Sequence, residues 1–549
     1  MELFYPGCSY LKATSLRGFI ERYGSSYPED VFTEQSEVDI FYEPTAYYKL
    51  METENPLLFF TKIRKFRDFN LVTNTLGSRR RMAFAIGTEE ENLYQQWDEV
   101  ISNDAEPKVI EGHSPVKETL QTGDGLDLFG LPAPAHFSMD GEIKGFMRYI
   151  TGGLAVARDP LNPETVNLSF TRIQIIGKDR YAFDMGSHGH LWNYVYNARK
   201  ESKPMPLTIL IGPHPVFYML AASFIENEYS HASYLADFRY TPGEFNDIPI
   251  PADTEIAIEA EVMLNENFSE GPFSEFTGYM SSRSTGNVAR VKSIMRKRNP
   301  IFYDIAASNS HEHVGLFSIP RNASIIRGIK QYLPPSGGYQ IDWPFSSSHM
   351  VALCNVRNPE PGLSKQLGLA IIGLDALFTK IVFISEGGQK VPSLEEALLS
   401  LAGSEIIEGH NLLLIPEVFT IKLDPSSSKE GTNGKAVFLF HNSVTSFERE
   451  ILENAVRITS DSKSVVFSHE ENDACRVNVL VDHDIDLDNT DAVMWAIATR
   501  TRPDKDIRLN KGRLVINARS KTRLIVPELP PEIVERIKKR LNSASSIKK

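Results

Sequence analysis

The sequence predicts an α/β protein with a central antiparallel β region, arranged along the chain as α/β, then β, then α/β. The first observation behind this prediction is the order of apolar patterns. Helical and strand-like segments alternate at both ends of the chain, whereas short strand patterns separated by turn residues fill the middle. The second is the length of 549 residues, which exceeds what one hydrophobic core usually holds, so two or three domains are expected.

The first region, residues 1–115, mixes both kinds of element. Helical patterns occur at Thr14–Tyr23 and Arg79–Ile86, and strand patterns at Leu57–Thr61 and Phe69–Thr73. This order is typical of an α/β domain.

The middle region, residues 116–330, is dominated by strand patterns. Turn residues separate these patterns, which favours an antiparallel sheet or barrel. The patterns lie at Arg148–Arg158, Val166–Ile176, Leu207–Ile211, Glu255–Leu264 and Ala289–Arg298.

The last region, residues 331–549, returns to an α/β order. Its strand patterns are Met350–Val356, Lys380–Ser385 and Val477–Asp482, and its helical patterns are Leu363–Leu374 and Pro392–Ala402. Asp424–Gly434 has the composition of a loop. A final helix is predicted from Pro530 through Leu541, and its apolar side is expected to pack on its own domain or on a neighbouring subunit.

Composition and charge exclude several classes of protein. The net charge of −13 and the shortness of the basic runs disfavour nucleic acid as a partner. Cys8, Cys354 and Cys475 show no paired spacing, which fits a reducing compartment. No signal-peptide pattern and no apolar run of about 18 residues is present. We therefore expect a cytoplasmic protein without an integral membrane segment.

Two carboxylates flank a Gly-Pro turn signal in the segment Glu270-Gly-Pro-Phe-Ser-Glu275, which follows the strand pattern Glu255–Leu264. The turn is expected to bring both carboxylates toward one pocket. Burial and like charge would then keep one of them protonated near neutral pH. The alternative is a structural turn that exposes both glutamates.

An arginine in an apolar strand pattern marks a second group. Arg172 lies in Phe170–Ile176, and it needs a partner because an unpaired buried guanidinium is costly. The two glutamates and a substrate carboxylate compete for this role, since arginine binds carboxylates in a bidentate manner. Asn167 falls on the opposite face of a regular strand, so a shared site requires the strand to end or bulge between the two residues.

Two histidines follow in Gly-Ser-His188-Gly-His190. Alternate strand positions face the same way, so this spacing suits a metal site. The alternative is a pair of loop histidines that are hydrogen-bonded to backbone groups.

These motifs together resemble the UbiD decarboxylase family over most of the chain, and they occur in the family's order. The matching segments are Thr151–Pro160, the spacing Asn167-x4-Arg172-x15-His188, Glu270–Tyr279, and Asp482–Asp486 followed by Trp495–Arg500.

The resemblance implies an α/β plus split β-barrel fold in three parts. These are an N-terminal α/β domain at 1–115, a flavin-binding split barrel at 116–330 and a C-terminal α/β oligomerisation domain at 331–549. It also implies prenylated FMN, a divalent cation, usually manganese, that anchors its phosphate, and a nearby potassium ion. The family's positions fall on Arg172, Glu270 and Glu275 for acid-base catalysis, on Ser169, Phe170, Thr171 and Arg172 for cofactor binding, and on Asn167 and His188 for the metal.

The family's third metal ligand falls on Glu228, in a segment similar to the family's Glu-x3-Ala-Gly pattern. A ligand set of Asn, His and Glu suits manganese. Ser233 replaces the glycine of that pattern, and His231 is a rival ligand.

The C-terminal region departs from the family. In relatives a strand similar to Phe378–Ile384 runs straight into the Asp-rich turn, whereas here residues 386–476 intervene. We interpret this segment as an insertion that forms an added subdomain over the site or on the surface. Lys380 is expected to neutralise the cofactor phosphate, or else to be exposed at the start of its strand.

The resemblance further implies reversible, non-oxidative decarboxylation of an aromatic or α,β-unsaturated carboxylic acid, with an acid of quinone biosynthesis as the first choice. Arg172 would orient the carboxylate, Glu275 would return a proton and Glu270 would hold Arg172. A flavin prenyltransferase would supply the cofactor, and homodimers or homohexamers are expected. The alternatives are a non-catalytic binding or assembly protein with this fold and an FMN oxidoreductase.

Overall fold

The structure is a computed structural model that describes residues 13–110, 112–142, 144–185, 189–223, 225–441, 444, 446–521 and 524–547. The chain forms two compact units. Unit 1 runs to Ala323 and resumes at Val526, and unit 2 is Ser324–Ile525. Among the described residues, no helix combines the length and apolar character needed to cross a membrane.

Two helices of unit 1, α1 and α3, begin at serine N-caps. Ser15 and Ser78 each accept a hydrogen bond from a backbone N–H of the first turn that follows. The last of its helices before unit 2 runs across the boundary at Ala323. The helices are α1 (Leu16–Ser26), α2 (Glu43–Leu50), α3 (Arg79–Ala85), α4 (Leu93–Ser102), α5 (His190–Glu201), α6 (Val216–Ala221), α7 (Glu228–Leu235), α8 (His311–Tyr332) and, after unit 2, α13 (Pro531–Ile547).

The first sheet of unit 1 runs in the order β1-β2-β3-β16, where β1 is Val31–Glu34, β2 is Leu57–Phe60, β3 is Asn70–Thr73 and β16 is Ile301–Tyr303. The outer pairs are parallel and the central pair is antiparallel. A strand from the later part of the middle region therefore completes the sheet that the N-terminal region begins. A small sheet, β13-β12-β4, joins Pro249–Pro251, Arg239–Pro242 and Lys108–Val109.

The second sheet is antiparallel and follows the order β6-β9-β10-β15-β14-β11-β7-β8, with β5 added on β15. The long hairpin of β14 and β15 forms its centre. Its strands are β5 (Thr119–Thr122), β6 (Tyr149–Ile150), β7 (Gly153–Arg158), β8 (Val166–Phe170), β9 (Arg172–Ile175), β10 (Arg180–Asp184), β11 (Pro206–Ile211), β14 (Ile256–Ser274) and β15 (Met280–Arg296).

The two ends of this sheet meet. β8 stands at one end of the strand order and β9 near the other, yet only Thr171 separates them in sequence. Likewise only Thr151 and Gly152 separate β6 from β7. Linkers of one or two residues are short, so the sheet must curl until its ends lie side by side. We call the linkers Thr151–Gly152 and Thr171 the seam, and the fold confirms the predicted split β-barrel.

Unit 2 contains two further sheets with flanking helices. The first follows the order β17-β18-β19-β21-β20 and the second β22-β23-β24-β25-β27-β26. Buried parallel strands such as β19 read as continuous apolar runs, which is why the sequence reveals them. The strands are β17 (Tyr339–Asp342), β18 (Val351–Val356), β19 (Ile381–Glu386), β20 (Leu412–Phe419), β21 (Thr432–His441), β22 (Glu448–Leu452), β23 (Ala455–Ser460), β24 (Lys463–Ser468), β25 (Val477–Leu480), β26 (Ile507–Asn510) and β27 (Arg513–Asn517). The helices are α9 (Leu363–Leu374), α10 (Leu394–Ala402), α11 (Thr490–Arg500) and α12 (Pro503–Asp506).

The segment 386–476 is not a separate subdomain, so that interpretation is wrong. Its strand β21 pairs in parallel with β19, and β20 extends the same sheet. Its strand β24 pairs in parallel with β25 of the other sheet. The segment thus supplies strands to both sheets of unit 2, because each needs neighbours that cover its backbone groups.

The terminal helix belongs to unit 1 and not to residues 331–525. Glu43, at the start of α2, is fully buried and forms salt bridges with Arg536 (2.5 Å) and Arg540 (3.3 Å) of α13. Just before α13, Leu529 packs on a cluster that includes Phe273. The helix therefore docks on the N-terminal region of its own chain, where two cations neutralise a buried carboxylate.

Candidate active site

The structure brings Arg172, Glu270 and Glu275 into one ion-pair network. Arg172 donates from Nε to Glu270 Oε1 (2.8 Å) and from Nη2 to Glu270 Oε2 (2.5 Å). Its Nη1 donates to Glu275 Oε1 (2.7 Å). The two glutamates are thus its partners, and the bidentate contact to Glu270 is the stronger geometry.

The network is buried but not sealed. Glu270 has no exposed side-chain surface, whereas the side chains of Arg172 and Glu275 retain 12% and 11% exposure. The solvent-accessible part of the network therefore belongs to Arg172 and Glu275, while Glu270 is enclosed. The exposed-turn alternative for the glutamates does not hold.

Glu270 lies inside β14 and not in a turn that follows it, which corrects the prediction from Gly-Pro. The strand continues through Ser274, with register irregularities on both sides of Glu270. Gly271 has φ +99°, and a Cβ there would lie 3.0 Å from the Ser281 carbonyl oxygen on β15. A glycine is needed at this position, and the irregular strand turns Glu270 toward the barrel.

Glu275 lies at the tip of the β14–β15 hairpin. Its N–H donates to the Tyr279 carbonyl (2.9 Å), and its carbonyl accepts from Gly278 N–H (2.8 Å). The Ser281 hydroxyl donates to Glu275 Oε1. The tight turn therefore fixes the backbone of Glu275, and Arg172 and Ser281 fix its carboxylate on the more exposed side of the network.

Burial and charge oppose each other in this network. Burial raises the pKa of Glu270, Arg172 lowers it, and the neighbouring carboxylates of Asp184 and Glu275 raise it, so the net shift is upward. Burial lowers the pKa of Arg172, but Glu275 and Glu270 outweigh burial and raise it well above its ordinary value. Arg172 is thus a permanent cation and Glu270 a carboxylate with increased proton affinity.

Aromatic rings surround the network. Phe273 lies under the Arg172 guanidinium at 5.1 Å and contacts Tyr149 at 4.4 Å between ring centroids. Phe276 stacks on Phe317 at 5.3 Å. These flat surfaces stabilise the cation and suit a conjugated ligand.

The seam places the predicted cofactor edge beside the network. β8 ends at Phe170 and β9 begins at Arg172, so the strand ends between Asn167 and Arg172 as a shared site requires. Ser169 and Phe170 are half-buried, and the Thr171 hydroxyl donates to the Asp184 carbonyl (2.8 Å). In the described part of the barrel β8 pairs with one strand only, β7, so no neighbouring strand covers its other edge.

Asn167 and Glu228 also lie close together. The Glu228 carboxylate accepts from the backbone N–H of Leu168, the neighbour of Asn167. Glu228 is buried, burial raises its pKa to about 8, and no cationic side chain pairs with it in the described residues. A buried carboxylate that lacks a cation, beside the strand that carries Asn167, fits a divalent metal.

Two of the three histidines that were candidates for this site, His190 and His231, lie in the described residues. His188 lies outside the described residues. His190 begins helix α5, not a strand, and its Nδ1 donates to Asn167 Oδ1 (2.8 Å). His231 donates from Nδ1 to the Asn103 carbonyl (2.7 Å). Among the described ranges, no three His, Cys, Asp or Glu side chains lie together so as to hold a metal. The predicted metal site therefore also needs the amide of Asn167 and the imidazole of His188.

Lys380 does not fit the phosphate role or the exposed alternative. It is fully buried in unit 2, and its Nζ donates to both carboxylate oxygens of Asp424 (3.0 and 3.1 Å) and to the Ser426 hydroxyl (2.7 Å). A buried carboxylate already neutralises its charge. The Asp424–Gly434 segment is therefore anchored by this lysine.

Sequence reasoning missed residues around the network. Asp140 and Tyr149 interact electrostatically with Glu270, and His313 interacts with Glu275. Desolvation lowers the pKa of the half-buried His313, and its Nδ1 donates to the Ser308 carbonyl (2.8 Å). Asp140 lies in Ser-Met-Asp-Gly, an ordinary turn sequence, so no local signal marks it. The histidine pair in Ser310-His-Glu-His313 is the signal that could have found His313.

The motif near the other end of the chain forms its own ion-pair cluster within unit 2. Arg500 donates to Asp482 Oδ2 (2.8 Å) and to both oxygens of Asp484 (2.8 and 2.6 Å), and its guanidinium lies 5.1 Å from the Trp495 ring. Arg500 is buried. This motif therefore ties the turn after β25 to helix α11.

Comparison with protein families matches three successive domains of one enzyme. Residues 33–101 match the 3-octaprenyl-4-hydroxybenzoate carboxy-lyase N-terminal domain, residues 108–309 its Rift-related domain, and residues 463–519 its C-terminal domain. These matches cover more than half of the chain.

Similar proteins of known name include decarboxylases. Anhydromevalonate phosphate decarboxylase of Methanosarcina mazei is 24% identical over 70% of this chain and 86% of its own length. Phenolic acid decarboxylase of Escherichia coli O157:H7 is 23% identical over 70% of this chain and 82% of its own.

The fold matches solved structures of HmfF, a UbiD-class enzyme from Pelotomaculum thermopropionicum. The complex of HmfF with FMN has a TM-score of 0.70 and 23% identity, and it covers 80% of this chain and 97% of HmfF. An evolved dimeric form in complex with prenylated FMN has a TM-score of 0.69 and 22% identity, with coverages of 80% and 97%. By its three matched domains and its fold, the chain belongs to the UbiD family of carboxy-lyases.

Proposed function

We propose that this protein catalyses the reversible, non-oxidative decarboxylation of an aromatic or α,β-unsaturated carboxylic acid with prenylated FMN. The observation that carries the proposal is the Arg172–Glu270–Glu275 network beside the seam of the barrel. It offers a cation for a carboxylate and an acid for a proton at one place. Relatives named as decarboxylases, and HmfF structures with FMN and prenylated FMN, support the proposal.

The flavin would lie along the seam. Ser169 and Phe170 are half-buried at the end of the edge strand β8, and the buried Thr171 follows them in the seam, which fits the polar edge of an isoalloxazine ring. The chemistry that prenylated FMN supplies when bound is an electron sink for the electrons left as CO2 departs. Lys380 is not part of this site.

The protein's own groups bind the substrate and manage its proton. Arg172 orients the substrate carboxylate, since a guanidinium pairs with a carboxylate in a fixed plane. Glu270 holds Arg172 from its buried side. Glu275, on the accessible side, donates a proton to the carbon that loses CO2. Phe273 and Phe276 present flat surfaces to a conjugated substrate.

A divalent metal, Mn2+ by preference, would be held by Asn167, His188 and Glu228. Asn167 Oδ1 has a second lone pair besides the one that His190 occupies, and Glu228 is a buried carboxylate without a cation among the described residues. Oxygen and imidazole ligands of this kind suit Mn2+. A potassium ion nearby belongs to the same proposal.

Replacement of Glu228 by glutamine is expected to weaken Mn2+ binding by more than the roughly 10–100-fold that loss of an outer-sphere partner costs. The amide removes the negative charge but keeps the shape. Calorimetric titration of the purified protein with MnCl2 measures the effect. The control is Glu226→Gln, two positions away and exposed, which should keep wild-type affinity. Unchanged affinity in Glu228→Gln would exclude this residue as a ligand.

The proposal also specifies the substrate, the partner, the compartment and the assembly. The substrate is an acid of quinone biosynthesis, the partner is a flavin prenyltransferase that supplies the cofactor, and the protein is a cytoplasmic homodimer or homohexamer. The name of the matching family, 3-octaprenyl-4-hydroxybenzoate carboxy-lyase, supports the choice of a quinone-pathway acid.

The experiment that tests the function is anaerobic purification after co-expression with a flavin prenyltransferase. We expect a flavin absorption spectrum, a released cofactor with the mass of prenylated FMN, about one divalent metal per chain, and CO2 release from aromatic acids in a screen. A well-folded protein with neither flavin nor metal would contradict the proposal and favour a non-catalytic relative. Unmodified FMN that NADH reduces would favour an oxidoreductase.

A further inference from the structure

Asp140 is a buried carboxyl group directly behind the ion-pair network. Its Oδ2 accepts from the N–H groups of His136 (2.8 Å) and Phe137 (2.9 Å). The next residue, Gly141, donates its N–H to the Pro272 carbonyl (2.9 Å). Asp140 thus closes a turn that is hydrogen-bonded to the strand carrying Glu270.

The turn also contacts the network through side chains. The His136 ring lies 6.0 Å from the Phe273 ring in an edge-on arrangement, and Phe273 lies under Arg172. Gly141 has φ +61°, and a Cβ there would overlap the Phe146 carbonyl oxygen. The position of Asp140 is therefore fixed tightly against the catalytic strand.

One oxygen of Asp140 is unused by these contacts. Oδ1 is buried and has no hydrogen-bond partner among the described residues. The charged or titratable groups that face Asp140 come from every element packed around it. They are Arg172 on β9, Glu270 on β14, Tyr149 on β6, Tyr42 before α2 and His136 in its own turn.

These neighbours keep the Asp140 carboxyl group protonated at pH values where an ordinary aspartate is ionised, up to about pH 7. Burial raises its pKa to about 7, the two backbone N–H groups and Arg172 lower it, and Glu270 raises it. His136 is no source of positive charge, because burial lowers its pKa to about 3. Two glutamates already use three of the five N–H donors of Arg172, so its positive charge is largely balanced before a third carboxylate is counted.

We infer that Asp140 is a positioning residue for the reaction proposed above, which keeps Arg172 on Glu270 and Glu275 as long as its own carboxyl group is neutral. Ionisation of Asp140 places a third negative charge beside the network. That charge attracts Arg172 away from the substrate carboxylate and raises the proton affinity of Glu270. Loss of the Asp140 proton therefore switches the site off on the alkaline side. This inference rests on the proposed decarboxylation.

The test compares wild type with Asp140→Asn, a neutral isostere that keeps an oxygen for the two backbone N–H groups. Asp124→Asn, at an exposed aspartate just after β5, is the matched control. In the prenylated-FMN holoenzyme, kcat of wild type is expected to fall tenfold per pH unit above about 7. In Asp140→Asn this fall should move up by at least one pH unit, with kcat at pH 6 within about threefold of wild type.

A second measurement needs no turnover. A folded-state pKa near 7 lies above the ordinary aspartate value of 3.8, so the stability that the neutral carboxyl contributes is complete below pH 4 and lost as pH rises through 7. In urea unfolding, wild type should lose stability relative to Asp140→Asn between pH 4 and 7 and remain parallel above, whereas Asp124→Asn should follow wild type.

The two measurements separate the possible failures. A stability difference that does not vary with pH overturns the inference, because Asp140 is then ionised in the folded protein. The same holds if the alkaline limb of kcat is unmoved in Asp140→Asn. If the stability difference varies as expected but neither protein decarboxylates any acid, the proposed function is overturned, and the positioning role falls with it.

Discussion

The Glu275→Gln variant is expected to lose decarboxylation by roughly 10²–10⁴-fold in kcat while it keeps its fold, its flavin and its metal. The amide has no acidic proton to return to the carbon that loses CO2. It does preserve the acceptor oxygen that Arg172 Nη1 and the Ser281 hydroxyl both use. Single-turnover CO2 release by the holoenzyme, with the absorption spectrum and metal content of the same sample, measures the three properties together.

The matched control for this variant is Glu266→Gln. Glu266 lies on the same strand β14 and pairs with Arg180 at the surface, where 37% of its side chain is exposed. The same chemical change there should leave kcat within about twofold, because exposed ion pairs contribute little. Full activity in Glu275→Gln would exclude Glu275 as the proton donor and direct attention to His313.

Elements whose signals are local could be predicted from the sequence. Helix α9 has the predicted bounds Leu363–Leu374, because its apolar face is contiguous and a glycine with φ +82° precedes it. The buried strands β18 and β19 also lie within one residue of their predicted ranges, since fully buried parallel strands read as apolar runs.

Strand β14 shows why the local signal fails at the site. Gly271-Pro272 reads as a turn, since proline lacks an N–H and glycine favours turns. The structure keeps both residues in the strand, because pairing with β15 and the contact between Glu270 and Arg172 outweigh that preference. Arg172 lies 98 residues before Glu270 in the sequence, so no local pattern indicates the contact that favours the strand.

The segment 386–476 was misinterpreted for a related reason. β21 enters the sheet beside β19, and β24 beside β25, through parallel pairing. Parallel neighbours are joined by long connections and leave no hairpin signal in the sequence. The absence of residues 386–476 from the family's sequence pattern therefore does not indicate whether they form a separate subdomain.

The candidate site was predictable in part. The resemblance named Arg172, Glu270 and Glu275, which the structure brings together, and Asn167 and Glu228, which approach through Leu168. It could not supply Asp140, whose significance arises only from burial against two other segments. It also misplaced Lys380, because the buried partner Asp424 lies on a loop that reads as exposed.

The Arg172→Met variant is expected to lose about 3–5 kcal/mol of unfolding free energy, the cost of leaving buried charge without its partner. Methionine fills the space of the arginine stem but leaves Glu270 and Glu275 facing each other without a cation. Urea unfolding of wild type and variant measures the loss. Arg180→Met, which breaks the exposed pair with Glu266, should cost no more than about 1 kcal/mol.

The pH dependence of this loss identifies its cause. Arg172 lowers the pKa of Glu270, so its removal leaves burial and Glu275 to raise that pKa further. A glutamate with a raised folded-state pKa contributes stability at low pH and loses it as pH rises. The deficit of Arg172→Met should therefore be smaller at pH 5 than at pH 8. It should also shrink when Glu270→Gln is added, because one of the two uncompensated carboxylates is then gone. A deficit that is equal at both pH values and unchanged by Glu270→Gln would mean that lost packing on Phe273, and not the ion-pair network, is what Arg172 contributes.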